Sequence, residues 1–176
     1  MRIFAARHGE TQWNAENKLC GRTDLPLTAN GIEQARTLAE RAKRYDLDLM
    51  IVSPMLRARQ TAAAVAEKCK IPVIVDVRLI EQDYGIYEGV DRKDPGFLAN
   101  KREFAYKYPG GESMMQVAHR VYSLLEDIKR EHDGKSVLLV CHGGVCRVIR
   151  TYFEDMTNEE YFQFSEENAA IREYRL

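Results

Sequence analysis

Two apolar runs that each end in His-Gly constrain this chain more than any other feature. Ile3-Phe4-Ala5-Ala6 breaks into Arg7-His8-Gly9-Glu10-Thr11, and Val137-Leu138-Leu139-Val140-Cys141 breaks into His142-Gly143-Gly144. A short, unbroken apolar run bounded by polar residues is the pattern of a strand buried on both faces, as in a parallel sheet. In open α/β sheets, ligands bind outside the carboxyl ends of such strands. Gly9 lets the backbone turn there and approach a ligand closely. A guanidinium beside an imidazole at that edge suits an oxyanion such as phosphate. If both runs are parallel strands, both imidazoles emerge at one edge and share one site.

The intervening sequence supplies the rest of an α/β fold. Residues 11 to 27 are polar and carry Gly21, Asp24 and Pro26, the pattern of a loop over the sheet edge. Thr28 is placed to cap a helix whose apolar stripe is Ile32, Ala35, Leu38, Ala39 and Ala42. Leu49-Met50-Ile51-Val52 reads as a buried strand. Ser53-Pro54 then read as N-cap and first residue of a helix from Met55 to about Lys70. Arg57 falls in its first turn, where backbone N–H groups already favour an anion. Arg59 lies about 200° around the helix and faces solvent. After Pro72, residues 73 to 77 form an edge strand, and Glu81-Gln82-Asp83-Tyr84-Gly85 a loop beyond it.

Residues 88 to 110 mix Arg92, Lys93, Lys101, Arg102 and Lys107 with Phe97, Phe104, Tyr106 and Tyr108. They are taken as a short helical lid that contacts the rest of the substrate; the alternative is a solvated amphipathic helix, and the charges alone do not decide between the two. A long helix from Ser113 to about Glu131 buries Val117, Val121, Leu124, Leu125 and Ile128. Helices from Gly144 to about Phe153 and near 159 to 164, then a strand from Ala169 to Tyr174, complete the chain. Strands alternating with helices predict a single domain, residues 1 to 176. It is a three-layer α/β/α sandwich with a mostly parallel central sheet.

In order along the chain, Arg7-His8-Gly9-Glu10-Thr11, Trp13-Asn14, Gly21-Arg22-Thr23-Asp24-Leu25-Pro26-Leu27-Thr28 and Gly31 carry a resemblance. So do Gln34-Ala35, Ser53-Pro54-Met55-Leu56-Arg57-Ala58, Thr61-Ala62, Glu81, Tyr84-Gly85, Glu88-Gly89, Gly111-Glu112-Ser113 and His142-Gly143-Gly144. The chain resembles the histidine phosphatase superfamily, also called phosphoglycerate mutase-like, across nearly its whole length. The resemblance implies that fold and a phosphomonoester hydrolase working through phosphohistidine on a small phosphorylated metabolite. It also moves Asn14 from turn residue to phosphate ligand.

The residues fit that chemistry. A neutral His8 nitrogen can attack phosphorus in line, with its other nitrogen held by a hydrogen bond that fixes the tautomer. Arg7 and Arg57 offer permanent charge in a fork matched to phosphate. His142, close to anionic oxygens, would have its protonated form favoured. Glu81 is the expected general acid, protonating the leaving oxygen and then activating water. Asp83 and Glu88 are its rivals, and only the family register separates the three. Thr11 is placed either to offer a hydroxyl or to cap locally, and Glu10 to play a structural part.

Composition narrows the alternatives. A formal net charge of -1 gives no global attraction to nucleic acid or anionic membrane. No apolar run nears the ~20 residues that span a bilayer, and no signal-peptide pattern opens the chain. Four cysteines without paired spacing predict a reducing, cytoplasmic setting. No His and Cys cluster has zinc spacing, so neither metal nor cofactor is expected. Three rival readings remain. Cys141-x-x-Gly144-x-x-Arg147 fits the cysteine phosphatase pattern, but Cys141 and His142 point to opposite faces of a strand. A phosphate-binding relative without turnover is the second. The third is a phosphoglycerate mutase, whose family pattern after the catalytic Glu is Arg-His-Tyr-Gly. Here Gln82-Asp83-Tyr84-Gly85 follows Glu81, and a carboxylate in place of a cation would repel a second phosphate, which favours hydrolysis.

Overall fold

In the computed structural model, residues 1–175 are described. The strands are β1 (Arg2–Arg7), β2 (Leu49–Val52), β3 (Val73–Val75), β4 (Ser136–Cys141) and β5 (Ile171–Arg175). The helices are α1 (Gln12–Ala15), α2 (Ala29–Ala42), α3 (Leu56–Cys69), α4 (Pro95–Asn100), α5 (Met114–Glu131), α6 (Gly143–Phe153) and α7 (Asn158–Gln163). One sheet runs in the order β3-β2-β4-β1-β5. Its first four strands are parallel, and β5 lies antiparallel against β1.

Side chains alternate across a strand, and here the alternation divides the apolar residues between two cores. Ile3, Ala5, Ile51, Leu139 and Cys141 pack with α5 and α6 on one face. Phe4, Ala6, Met50, Leu138 and Val140 pack with α2 and α3 on the other. Adjacent Leu138 and Leu139 are thus both fully buried, one in each core. Truncating either to Ala would cost about 2–5 kcal/mol. The expected face of α5 is buried at all five positions.

Register places the site. Arg7 pairs with Cys141, and the His8 N–H donates to the Cys141 carbonyl at 3.0 Å. The next residues along the two strands, His8 and His142, therefore emerge side by side. Beyond β1 the chain enters α2 on one face; beyond β4 it enters α6 on the other. Neighbouring strands whose chains part in this way open the crevice in which α/β sheets take ligands.

Several local expectations need correction. Ser53-Pro54 do not cap α3: Met55 is its N-cap without a side-chain bond, and Asp24 Oδ1 accepts the Leu56 N–H at 2.7 Å instead. Thr28 does cap α2, but Ile32 is 42% exposed. The buried stripe runs through Gly31, where a Cβ would strike the Glu10 carbonyl, and one on Gly9 would strike Gly31. The close approach Gly9 permits is thus to α2 rather than to a ligand. The 11–27 loop contains α1, started by a capping box between Thr11 and Asn14. Strand β3 ends at Val75, because Asp76 accepts the Arg78 N–H and turns the chain into a 3-10 helix. In segment 88–110 only α4 is an α-helix; its Phe97 is buried with Leu19 and Tyr108 in a third apolar cluster.

Candidate active site

His8 and His142 meet at the carboxyl edge with ring centroids 5.1 Å apart, and both are buried. The His8 Nδ1–H donates to the Gly9 carbonyl at 2.6 Å. That bond fixes the tautomer and leaves Nε2 unprotonated, as an acceptor. Arg57 Nε lies 3.2 Å from both His8 Nε2 and His142 Nδ1, so one N–H is shared between two acceptors. His142 must then carry its proton on Nε2, which lies 2.7 Å from Ser53 Oγ. Each imidazole is thereby set as a neutral ring by a different local donor or acceptor.

Electrostatics agree. Burial, then the Arg57 charge, then Arg7, hold the His8 pKa well below the ordinary histidine value. For His142 the causes are burial, Arg57 and His8. The protein's own charges therefore oppose a His142 cation, and only an anion brought by the substrate can favour one.

Arg57 departs from the expected fork. Its Nη1 donates to the Thr23 carbonyl at 2.9 Å and its Nη2 to the Gly21 carbonyl at 2.7 Å. The fork is spent on the 20–24 loop, and Nε alone faces the histidines. Arg57 is fully buried behind them, while Arg59 is exposed as expected. Arg7 is different: its Nη1 donates to the Glu166 carbonyl at 2.6 Å, and its buried Nε has no partner among the described residues. That Nε lies beside Gly143.

Arg7, His8, Asn14, Glu81 and Gly144 line a cavity of about 50 Å³. A cavity needs only about 10–15 Å³ to admit a single water, so this one has room for a larger group such as a tetrahedral anion. Asn14 Oδ1 accepts from Thr11 N–H and Oγ1 in the capping box, so the residue both caps α1 and lines the cavity. Glu81 accepts the Gln82 N–H at 2.9 Å and the Gly144 N–H at 3.0 Å. A carboxylate offers about four lone-pair sites, so Glu81 keeps capacity toward the cavity. Glu88 instead accepts from Gly21, Arg22 and Thr23 N–H groups, and Asp83 from Gly85. Neither lines the cavity, so Asp83 is not placed to repel a second phosphate there. Glu10 accepts the Thr28 hydroxyl at 2.8 Å.

Cys141 lies in the α5–α6 core, its Sγ 3.5 Å from Cys146 Sγ. Burial pushes its thiol well above the ordinary value, unlike a thiolate nucleophile. Sequence reasoning missed Cys20 and Ser165, gave Tyr84 no role in the cavity, met Arg147 only in the rival cysteine pattern and placed Arg92 only in the lid. Arg147 was findable, being one helical turn beyond Gly143 and so on the face that opens at the strand end. Nothing local marks Ser165.

A three-layer fold with paired histidines at the carboxyl edge of neighbouring parallel strands defines the class. The sequence profile of the histidine phosphatase superfamily (branch 1) matches residues 3–176, and this chain belongs to that family. Among similar proteins is the probable phosphoglycerate mutase GpmB of Enterobacter sp. (strain 638), 39% identical over 151 residues, 81% of this chain and 70% of that protein. A mycobacterial glucosyl-3-phosphoglycerate phosphatase solved with VO3 superposes with a TM-score of 0.88 at 28% identity, covering 98% of this chain and 91% of the other. A putative alpha-ribazole-5'-P phosphatase from Escherichia coli K-12 gives 0.84 at 27%, covering 98% and 89%. Among the described residues no helix is long and apolar enough to cross a membrane.

Proposed function

We propose that this protein is a metal-independent phosphomonoester hydrolase that works through phosphohistidine on a small phosphorylated metabolite. One observation carries the reading: His8, held as the Nδ1–H tautomer, turns an unprotonated Nε2, which shares only the Arg57 Nε–H with His142, to a cavity also lined by Arg7, whose Nε has no partner among the described residues. Attack by Nε2 on phosphorus forms the N–P bond as the ester P–O bond breaks. Arg7, with Asn14 beside it, takes the equatorial oxygens, and substrate entry draws the Arg57 Nε–H from the ring nitrogens toward the phosphoryl group. His142, lowered in basicity by the protein alone, gains a proton or donates more strongly once the dianion lies beside it. Glu81 gives its proton to the leaving oxygen and then, as carboxylate, takes one from the water that cleaves phosphohistidine.

The similar proteins named as probable mutases keep a second reading in play, in which the phosphoryl group returns to another hydroxyl rather than to water. The test is a panel of phosphomonoesters with chelator present, scoring phosphate release and isomer formation separately. Phosphate release that survives chelator and is abolished in His8→Ala is expected. Isomer formation without phosphate release selects the mutase, and dependence on added metal refutes the scheme.

A further inference from the structure

Glu81 belongs to no helix or strand: the chain leaves the 3-10 turn of Val77–Leu79 and runs through residues 81–84 without regular structure. No helix or sheet ladder therefore holds its backbone, yet its carboxylate is buried at the cavity and accepts the Gly144 N–H. Two guanidiniums hold that backbone instead. Arg22 Nε and Arg120 Nη2 donate to the Glu81 carbonyl at 2.9 and 3.3 Å, and Arg120 Nη1 donates to the Arg78 carbonyl at 2.6 Å.

Both guanidiniums converge on one carboxylate. Arg120 meets Glu112 in two bonds, Nε to Oε1 at 3.2 Å and Nη2 to Oε2 at 3.1 Å, and Arg22 Nη2 reaches the same Oε2 at 3.0 Å. Such a fork fixes direction as well as charge. With side chains 15% and 18% exposed, Arg120 and Glu112 are little screened by solvent. Glu112 also grips the segment directly. Its Oε2 accepts the Asp83 N–H at 3.1 Å, its backbone N–H donates to the Asp83 carbonyl at 2.9 Å, and its carbonyl accepts from Gln82 Nε2 at 3.1 Å. Burial pushes the Glu112 pKa up, but Arg120, the Asp83 N–H and Arg22 outweigh it and hold it below the ordinary carboxylate value. The anchor is thus an anion at neutral pH.

We propose that Glu112 is a positioning residue for the general acid: through Arg22, Arg120 and the Asp83 N–H it sets the backbone at Glu81, and with it the reach of the Glu81 carboxyl into the phosphate cavity. Glu112 itself does not line that cavity. The assignment rests on the reading of Glu81 as proton donor given above. Arg22 belongs to the 20–24 loop whose carbonyls take the Arg57 fork, so the acid and the paired histidines share one frame.

The test is a double-mutant cycle between Glu112→Gln and Glu81→Gln, read on glycerol 3-phosphate, an alkyl ester, and on p-nitrophenyl phosphate, an aryl one. Glutamine keeps the size of Glu112 and removes its charge. In the wild-type background Glu112→Gln lowers kcat for the alkyl ester roughly tenfold to a hundredfold, the cost of displacing a catalytic group by up to about 1 Å. KM changes little, because a proton donor acts in the transition state. The aryl ester, whose leaving group needs less protonation, loses less. In the Glu81→Gln background the same change costs nothing further, within about twofold. Arg22→Met, at a side chain 34% exposed, gives the same pattern and carries the test if urea unfolding shows that Glu112→Gln does not fold. Equal losses on both esters, or a loss that persists in full without the Glu81 carboxyl, makes the role purely structural and overturns the proposal. Glu81→Gln alone separates the two readings. Equal losses on both esters there remove the proton donor itself, whereas an alkyl-selective loss that neither Glu112→Gln nor Arg22→Met shares keeps the donor and refutes only its positioning.

Discussion

Replacing Ser53 with Ala distinguishes two roles for one hydroxyl. From the sequence it caps α3; in the fold it lies 2.7 Å from His142 Nε2. Ser53 and His142 are both fully buried, so no water replaces the lost acceptor. An unsatisfied buried donor costs about 1–3 kcal/mol. The ring can escape by moving its proton to Nδ1, but Arg57 Nε–H then faces another N–H at 3.2 Å. Either outcome disturbs the shared Arg57 bond that also reaches His8 Nε2. At about 1.4 kcal/mol per factor of ten, kcat/KM falls roughly 5- to 150-fold. A serine that only capped a helix would cost about 0.5–2 kcal/mol of stability and leave turnover alone. Urea unfolding and steady-state hydrolysis of an aryl phosphate measure both quantities. Stability lowered with kcat/KM within about twofold of wild type would refute the positioning role.

Three further outcomes are expected. His8 and His142 are both held neutral by burial and then by Arg57. Below pH 6.5, their ordinary value, the unfolded chain therefore binds two protons that the folded one does not. Stability is full above that pH and falls as pH drops, by up to about 2.7 kcal/mol per unit for the pair; urea titrations that show no such slope, or a slope unaltered in His8→Ala, count against the neutral assignment. Glu81→Gln lowers kcat for alkyl esters by roughly 10²–10⁴ and less for an aryl ester with a good leaving group; equal losses on both would remove Glu81 as proton donor. Cys141→Ser, altering a side chain buried in the α5–α6 core, retains most turnover, and loss of activity in a folded Cys141→Ser protein would revive the cysteine mechanism.

Much of this was legible before folding. The buried strands were readable because Leu49–Val52 and Val137–Cys141 are covered on both faces, a condition that removes alternation and leaves continuous apolar runs. The five buried positions of α5 follow the 3.6-residue period. The fate of individual polar groups was harder to read. Ser53 left its expected cap for His142, Arg57 gave its fork to the 20–24 carbonyls, and Glu88 became a clamp for backbone N–H groups. Each of those partners is more than thirty residues away in sequence, and hydrogen-bond choice at that range follows from packing, which no local pattern encodes.

The amino-acid sequence by itself determined the alternation of strands and helices and the delivery of His8 and His142 to strand ends, because periodicity and turn chemistry act over a few neighbouring residues. Only the tertiary structure decided which ring nitrogens carry protons, that Arg7 rather than Arg57 offers an unpartnered N–H, and that Glu112 gathers Arg22 and Arg120 at the Glu81 carbonyl. Those outcomes depend on the register of β1 against β4 and on where distant carbonyls come to rest, and both are fixed when the two cores close on the sheet.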